Sequence, residues 1–469
     1  MKKSLTLSFL FVALFSIAQT YPSYNISLLS NIAPETTNNW YGTGTKYASC
    51  YGWHNPVDNK EYAILGTTKG NYFIEVTDPS VPVVRDYVVG AAQNSLWREM
   101  KTYQNYAYLV SDDNNNRLQI VDMSYLPDSV HVVYNSNALF TKAHTVFVEG
   151  DKLYCGGVTK VGGSKFSMAV YSLANPESPV LLRSLNQDYA SVNYVHDMFV
   201  RNDTVYASTG DPGLFIFKFN SNNTFTLLAD YTNYLDVGYN HSSYLTPDSK
   251  TMVFCDEVPT GLAVKVLDVS DFGNLTLTDT INSHEEATAH NPYIMDNYHA
   301  VISYYQDGVY IYDVSDPNNA VLKGFFDTDP THGDNDNYAA NPAYRGCWAA
   351  YPFLPSGNLL VSDMQRGLFV LNMNTALNAP STVHQENFIR LYPNPASGFL
   401  NIVASTEETG ELSLIIYDIA GKKISNKQVH KTESVMNVSV DVSDLAKGTY
   451  FIKLMGRDVL ASSKLIIID

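Results

Sequence analysis

Residues 106–124 read YAYLVSDDNNNRLQIVDMS, and this pairing of two short apolar runs across a polar turn decides the fold. Apolar or alternating runs of this length, bounded by turn-forming residues, are typical of β-strands. The same pair of runs recurs along the chain, at residues 62–79, 153–175, 205–220, 252–271, 300–317 and 359–373. Seven copies of one supersecondary unit predict a repeat architecture.

Two further segments flank each pair. A short segment of the form His-x-x-x-hydrophobic lies upstream, and an apolar strand such as 83–89 or 321–326 lies downstream. Four short strands in each repeat are typical of the blades of a β-propeller. The upstream segments begin at one residue in each repeat, namely His54, Arg98, His144, His196, His241, His290 and Trp348.

The number of strands predicts how the ring closes. Seven repeats have their inner strands, but only six have a downstream outer strand, because the seventh repeat stops near Met373. Residues 25–32 (NISLLSNI) have the character of the missing strand. Pairing this segment with the last repeat would remove exposed sheet edges. We therefore predict an all-β protein with a seven-bladed propeller, residues 19–373, closed by an N-terminal strand.

The two ends of the chain differ from the repeats. Residues 1–18 have a charged start, a short apolar run and a small-x-small site before Gln19, which predicts a signal peptide. Residues 374–388 lack the repeat pattern and predict a linker. Residues 389–469 contain alternating segments at 412–417, 435–440, 449–454 and 465–468, which predict a small C-terminal β-sandwich.

Composition excludes several function classes. The chain has 469 residues, with 30 Lys and Arg against 47 Asp and Glu, and a net charge of −17. A surface of this sign repels phosphate backbones and anionic lipid, so we predict no nucleic-acid partner. No apolar run is long enough for a transmembrane helix.

The tail resembles the type A C-terminal sorting domain of the type IX secretion system in Bacteroidetes. The resemblance rests on YPNP at residues 392–395, IYDIAGK at 416–422 and GTYFI at 448–452. It implies Sec-dependent export, recognition by the type IX machinery and delivery to the outer-membrane surface or the medium. The final residues, Ile467-Ile468-Asp469, lack the basic ending of many such tails.

The repeats resemble the choice-of-anchor B family, whose blades carry LVIVD repeats. The repeat core stands as LQIVD at 118–122 and VYIYD at 309–313, and WRE at 97–99, VHD at 195–197 and AHN at 289–291 follow the family's order. The resemblance covers residues 25–373 and implies the propeller fold, with no particular activity.

The strongest candidate site is the series of residues that begin the inner strands. If the blades are equivalent, these side chains converge on the central channel. Imidazole nitrogen is a common ligand of transition metals, so His144, His196, His241 and His290 are candidate metal ligands. Carboxylates at the ends of the following strands could join them as ligands, orienting groups or bases. These are Asp112, Asp113, Asp211, Asp256, Glu257, Asp307 and Asp363.

Other interpretations of the histidines stay open. Each imidazole could bond a carbonyl of the neighbouring blade or a water molecule, with no further function. The series could also bind a polar small molecule or take part in catalysis.

Two smaller predictions concern ions and thiols. The loop at residues 327–345 carries Asp334 and Asp336 in an alternating Asp-Asn run, which could bind calcium through its oxygen atoms. Cys50 and Cys347 fall in blades that are neighbours in a closed ring, so a disulfide between them is a further candidate.

Together these patterns predict an exported propeller that binds a ligand, a surface glycan or a protein through its channel mouth. The alternative is a metal-dependent, hydrolase-like enzyme that uses the histidine series. The sequence contains no Gly-x-Ser-x-Gly, His-Glu-x-x-His or phosphate-loop motif.

Overall fold

A computed structural model describes residues 21–36, 44–113, 116–284, 286–332, 345–379, 388–392, 394–405, 409–419, 421–431, 435–456 and 459–468. The predicted signal segment, residues 1–18, lies outside the described residues. The chain divides into two compact units, one of residues up to 380 and one from 381 onward.

The first unit is a ring of seven antiparallel sheets, and two strands precede the first blade: β1 (Ser23–Tyr24) and β2 (Ser27–Ile32). Blade 1 consists of β3 (Tyr47–His54), β4 (Glu61–Thr67), β5 (Gly70–Glu75) and β6 (Val83–Val89). Blade 2 consists of β7 (Arg98–Tyr103), β8 (Tyr106–Ser111), β9 (Leu118–Asp122) and β10 (His131–Ser136). Blade 3 consists of β11 (Thr145–Glu149), β12 (Lys152–Thr159), β13 (Lys165–Ser172) and β14 (Val180–Ser184), followed by a short 3₁₀ helix at Leu185–Gln187.

The remaining blades repeat the order of strands. Blade 4 consists of β15 (Asp197–Arg201), β16 (Thr204–Ser208), β17 (Leu214–Phe219) and β18 (Phe225–Tyr231). Blade 5 consists of β19 (Asn240–Leu245), β20 (Thr251–Asp256), β21 (Val264–Asp268) and β22 (Thr276–Ile281). Blade 6 consists of β23 (Pro292–Ile294), β24 (His299–Ser303), β25 (Val309–Asp313) and β26 (Val321–Phe326). Blade 7 consists of β27 (Cys347–Tyr351), β28 (Asn358–Asp363) and β29 (Gly367–Asn372).

The N-terminal strand completes blade 7, as predicted. β2 pairs antiparallel with β29, from Ser27 opposite Asn372 to Ile32 opposite Leu368. A second pairing was not predicted: β1 pairs with β26, with Ser23 opposite Phe326, and makes blade 6 five-stranded. The start of the chain therefore ties the last two blades together.

The apolar core lies between the blades. Seven buried clusters are found in the described part of the ring, one for each pair of neighbouring blades. The cluster between the last and first blades joins Trp348 and Leu360 to Ala63 and Leu65. Because this cluster is as apolar as the other six, the ring is closed by packing as well as by strand pairing.

The outer edge of each blade is irregular. In every blade the pairing between the third strand and the outer strand contains a register shift of the β-bulge type. Bulges increase twist and interrupt the row of unpaired backbone groups along an edge. They therefore oppose edge-to-edge association of two rings.

A short helix, α1 (Asn374–Asn378), follows blade 7, in the segment for which we expected a linker. The second unit comprises two antiparallel sheets of strands with an apolar core that includes Leu400, Leu414 and Ile452. Its strands are β30 (Phe388–Tyr392), β31 (Phe399–Ser405), β32 (Gly410–Asp418), β33 (Lys423–Lys431), β34 (Val435–Asp441), β35 (Gly448–Met455) and β36 (Val459–Ile467). None of the helices in the described ranges is long and apolar enough to cross a membrane.

Candidate functional site

Four imidazole rings lie side by side around the channel of the propeller. The rings are those of His144, His196, His241 and His290. These residues lie at or just before the start of the inner strands of blades 3 to 6. The ring centroids are 4.1 Å apart for His144 and His196, 4.2 Å for His196 and His241, and 4.4 Å for His241 and His290. The indole of Trp348, in blade 7, continues the series at 4.5 Å from His290. The structure therefore brings five of the seven predicted residues together.

Hydrogen bonds to the next blade fix the orientation of three of these rings. Nδ1 of His196 lies 3.0 Å from the carbonyl oxygen of His241, and Nδ1 of His241 lies 3.0 Å from that of His290. Nδ1 of His290 lies 2.6 Å from the carbonyl oxygen of Trp348. A carbonyl oxygen only accepts, so each Nδ1 carries the hydrogen and each Nε2 of the neutral ring keeps its lone pair.

These contacts join two interpretations that the sequence left open. The imidazoles do bond neighbouring blades, as a purely structural role requires, but they use only one nitrogen for it. His144 differs, because its Nδ1 lies 2.7 Å from Oδ2 of Asp112. This carboxylate also pairs with Lys142, and the two partners outweigh the effect of burial and hold the pKa of Asp112 below its ordinary value.

Burial keeps three of the rings neutral. Loss of solvent lowers the pKa of His290 to about 3, although the bond to the Trp348 carbonyl opposes the change. Burial first, and then the charges of neighbouring imidazoles, hold the pKa of His196 and of His241 well below the ordinary value. A neutral imidazole is the form that binds a metal ion or accepts a hydrogen bond.

The imidazoles and Trp348 line a small cavity with a volume of about 60 Å³. Three carboxylates, Glu99, Asp197 and Glu257, and one ammonium group, Lys101, also line it. Nζ of Lys101 lies 3.9 Å from Oε2 of Glu99. Carboxylates outnumber cations in this wall, which favours positively charged ligands.

Two of the carboxylates are poorly solvated. Burial raises the pKa of Asp197 to about 6, with a partial offset from the charge of Lys101. Burial also raises the pKa of Glu257, while a hydrogen bond of 2.6 Å from the Tyr305 hydroxyl to Oε1 opposes the increase. Each of these carboxylates would gain stability from a cationic partner.

Three potential metal ligands meet in the wall of the cavity. One ligand atom each of His241, Glu257 and His290 lies within 4.8 Å of the other two, and all three residues are buried. Nε2 of His241 is 3.7 Å from Oε2 of Glu257. Two imidazole nitrogens and a carboxylate oxygen form a ligand set that suits zinc and other divalent first-row ions.

Aromatic rings also line the cavity. Phe147, Tyr244 and Tyr293 line it, and each comes three residues after a histidine of the series. Phe353 packs on Tyr244 and Tyr293, with centroids 6.1 Å and 5.6 Å away. The cavity therefore combines polar groups with aromatic rings, a composition common in small-molecule sites.

His54 does not reach the cavity, which corrects the sequence prediction. It lies at the far end of its inner strand, opposite Glu61, and lines a separate groove with Gln104. In blades 5 and 7 the inner strand has a register shift at the residue of the series, His241 or Trp348. In blade 1 the inner strand β3 has its register shift between Tyr47 and Cys50. The corresponding position in blade 1 is therefore near Ser49.

Arg98 also lies outside the cavity wall. Its guanidinium is buried between blades 1 and 2, where Nε donates to the carbonyl oxygen of Thr67 at 2.6 Å and Nη2 donates to that of Ala92. The adjacent residues Trp97 and Glu99 line the cavity instead. Side chains alternate along a strand, so an error of one position reverses the predicted direction.

Sequence reasoning missed Trp97, Glu99, Lys101, Asp197 and Tyr305 as site residues. Glu99 is the last residue of the WRE motif at residues 97–99. Asp197 is the last residue of the VHD motif at residues 195–197. Each motif, taken whole, therefore indicates a carboxylate next to the residue of the series. Nothing in the sequence indicates Tyr305, which contacts Glu257 from the next blade.

Of the carboxylates expected at the strand ends, only Glu257 lines the cavity. Asp112 orients His144, Asp307 lies 2.7 Å from Nδ1 of His284, and Asp256 pairs with the buried Lys265. Asp363 is buried, and its pKa rises to about 6 because of burial. Asp113 and Asp211 do not line the cavity either.

The remaining predictions on ions and thiols have different outcomes. Asp334 and Asp336 lie outside the described residues. Within the same loop, the buried carboxylate of Asp329 pairs with Arg345 and Arg366, so it is already neutralised. Cys50 and Cys347 are buried free thiols and form no disulfide.

Residues 390–468 match the family of secretion system C-terminal sorting domains. The tail is a secretion sorting domain. Such a domain indicates recognition by the type IX machinery and export to the cell surface or the medium. No curated protein matches the chain.

Two solved structures resemble the chain at low identity. PorZ, a surface component of the type IX secretion system of Porphyromonas gingivalis, is 10% identical with a TM-score of 0.44, over 92% of this chain and 60% of PorZ. The chain thus corresponds to less than two thirds of the length of PorZ. YCF48, solved bound to D1 peptide, is 9% identical with a TM-score of 0.46, over 75% of this chain and 95% of that one.

Proposed function

We propose that this protein is an exported binding module that holds a small polar ligand in the cavity at its channel mouth. On this proposal the signal peptide at residues 1–18 is removed during export, and the tail beyond the 374–388 linker is removed after passage through the outer membrane. The propeller, residues 19–373, belongs on this proposal to the choice-of-anchor B family, on the strength of its LQIVD and VYIYD repeats.

One observation carries the proposal: three rigidly held imidazoles keep Nε2 lone pairs in a cavity that also contains buried carboxylates. Bonds to the next blade hold the rings of His196, His241 and His290 in one orientation. A site whose groups are fixed before binding loses little conformational entropy when a ligand enters. Residues needed only for packing between blades would not require such a cavity.

A buried hydroxyl in the same wall supports this proposal. Ser243 is 5% exposed and lines the cavity, and its Oγ has no hydrogen-bond partner among the described residues. A buried polar atom without a partner costs roughly 1–3 kcal/mol, which a hydrogen-bonding ligand would recover. A ligand with hydroxyl or carbonyl groups fits this requirement.

The test is a comparison of cavity-filling and surface variants. Ligand-observed NMR of the exported chain with a panel of sugars, amino acids and hydroxy acids should reveal one binding class. Binding should be lost in Ser243→Trp, whose side chain fills the cavity, and kept in Ser270→Trp, which alters an exposed turn. Equal binding to both variants, each shown to be folded by circular dichroism, would place the ligand elsewhere and refute the proposal.

A metal-dependent hydrolase is the second candidate, because His241, Glu257 and His290 offer three ligands and leave a coordination position open to the cavity. Asp197, with its pKa of about 6, would then be available as a base. Chromogenic ester, phosphate and glycoside substrates test this candidate. Turnover that is lost in Asp197→Asn with metal content unchanged would support it.

A further inference from the structure

We infer that a single divalent transition-metal ion, held by His241, His290 and Glu257, anchors the ligand of the channel-mouth cavity. This inference rests on the proposed function, since it names the group to which the ligand binds. The three ligand atoms lie within 4.8 Å of one another in the wall of the cavity. Residues from blades 5 and 6 thus meet at one point.

The tautomers of both imidazoles suit a metal. Nδ1 of His241 donates to the carbonyl of His290, and Nδ1 of His290 donates to the carbonyl of Trp348. Each Nε2 therefore has its lone pair available. Metal-binding histidines in general use the second nitrogen in this way, because the bond to a carbonyl sets the ring orientation and increases ligand basicity.

Solvent is largely excluded from these ligands. The imidazoles of His241 and His290 are 4% and 3% exposed. The carboxylate of Glu257 is also buried, and no Lys or Arg in the described part of the chain pairs with it. Nε2 of His241 lies 3.7 Å from its Oε2. A divalent ion would stabilise this carboxylate directly.

Tyr305 supports the third ligand from blade 6. Its hydroxyl donates to Oε1 of Glu257 at 2.6 Å, while Oε2 is the oxygen nearest to His241. The tyrosine therefore orients the carboxylate with one oxygen toward the imidazoles. Ligand atoms around a tetrahedral zinc ion lie about 3.3 Å apart. The three donors, which lie within 4.8 Å of one another, therefore have to move closer by up to about 1.5 Å when they bind.

The ligand set also indicates the class of metal. Two nitrogens and one oxygen suit zinc, iron(II) or manganese(II) better than calcium, which prefers oxygen ligands only, or copper(I), which prefers sulfur. The thiol of Cys255 lies 2.6 Å from the carbonyl oxygen of His290 and belongs to the apolar cluster between blades 5 and 6. Three protein ligands leave a position for water or for an exogenous ligand.

The test is direct metal binding by the exported chain. After treatment with a chelator, titration calorimetry with zinc should show one ion per chain, and cobalt(II) should give the visible absorption of a four- or five-coordinate site. His241→Asn and His290→Asn are the decisive variants. Asparagine keeps an N–H donor for the neighbouring carbonyl and removes the Nε2 ligand.

We expect each Asn variant and Glu257→Gln to bind zinc more weakly by a factor of at least about one hundred, and Tyr305→Phe by roughly ten. His131→Ala and His430→Ala alter exposed histidines of the propeller and the tail and should bind as the wild type does. Circular dichroism and thermal unfolding of each variant verify that it is folded.

Two outcomes would overturn the inference. One is a wild-type chain that takes up no ion from submillimolar zinc, and the other is zinc uptake that the Asn variants retain. If organic ligands still bind the cavity and Ser243→Trp still abolishes that binding, the proposed function stands and only the metal site is refuted. If Ser243→Trp has no effect on any ligand while zinc binds to the three residues, the cavity function is refuted instead.

Discussion

Lys265 and Asp256 form an ion pair inside blade 5, with Nζ 2.7 Å from Oδ2 and side chains only 1% and 0% exposed. Asp256 also accepts a hydrogen bond from the hydroxyl of Tyr234 at 2.9 Å. The pair links β20 to β21 just behind the strand that carries His241. The ion pair is therefore part of the blade whose inner strand contributes to the cavity wall.

Lys265→Met should destabilise the propeller by about 3–5 kcal/mol, because the carboxylate of Asp256 would stay buried without a cation. Denaturant unfolding of the propeller transition measures this change. Lys152→Met is the matched control, since Lys152 and Asp203 form a half-exposed pair and its loss should cost less than about 1 kcal/mol. Similar effects of both substitutions would contradict the assignment of a buried pair.

Ile26→Ala should also destabilise the propeller, by about 2–5 kcal/mol. Ile26 lies between β1 and β2 and is buried against Val309 and Phe326 of blade 6. Leu28→Ala, in the neighbouring strand, is the control, since Leu28 is 40% exposed. If the two variants unfold at the same denaturant concentration, the N-terminal closure contributes little to stability.

Asp197→Asn should change how stability depends on pH. The pKa of Asp197 is about 6 in the folded chain and about 4 when unfolded, so the folded state holds the proton more tightly. Wild-type stability from this group is therefore lost as the pH rises from about 4 to 6. The free energy of unfolding of Asp197→Asn, relative to wild type, should increase across this range and then level off; a constant difference would argue against the raised pKa.

His290→Asn should weaken the destabilisation of the chain by acid. The pKa of His290 is about 3 when folded and about 6.5 when unfolded, so the unfolded state binds one more proton between these values. Wild-type stability from this residue is present above pH 6.5 and is lost as the pH falls. The asparagine variant should show a smaller slope of stability against pH between about 4 and 6, by up to one proton; an unchanged slope would contradict a neutral buried imidazole.

Removal of residues 389–469 should retain the propeller inside the cell envelope of the producing bacterium. The sorting domain that matches residues 390–468 would then be missing. Cell fractionation and N-terminal sequencing measure the outcome, with Gln19 expected as the first residue of the exported chain. Surface delivery of the truncated chain would show that the tail is not the export signal.

The fold could be predicted from sequence because strand repeats and turn residues are local signals. The surplus of inner strands over outer strands predicted that residues 25–32 would complete the last blade, and β2 does so. The pairing of Ser23 and Tyr24 with blade 6 was missed, because two residues give no detectable periodicity. The convergence of His144, His196, His241 and His290 followed from blade equivalence.

The errors at the site have two physical origins. Arg98 begins a strand that pairs with β8 without a register shift, and its side chain alternates away from the cavity. Register shifts in the inner strands at Tyr47–Cys50, Asn240–Ser242 and Cys347–Ala349 change which residue faces the channel. Sequence spacing contains no record of such bulges, so His54 was assigned to the ring when blade 1 places Ser49 near that point. Gly52 illustrates the local constraint: a Cβ there would lie 2.2 Å from Cε1 of Tyr351, so the strand accommodates a ring of blade 7 at this position.

The order of strands also has a consequence for biosynthesis. Ser27 finds its partner, Asn372, only after almost the entire ring has been translated, and contacts so distant in sequence form slowly. Until then β2 has an open edge, which a chaperone or another chain could engage. A product shortened by premature termination would never bury that edge, and it could therefore be distinguished from the full-length protein before it leaves the cell.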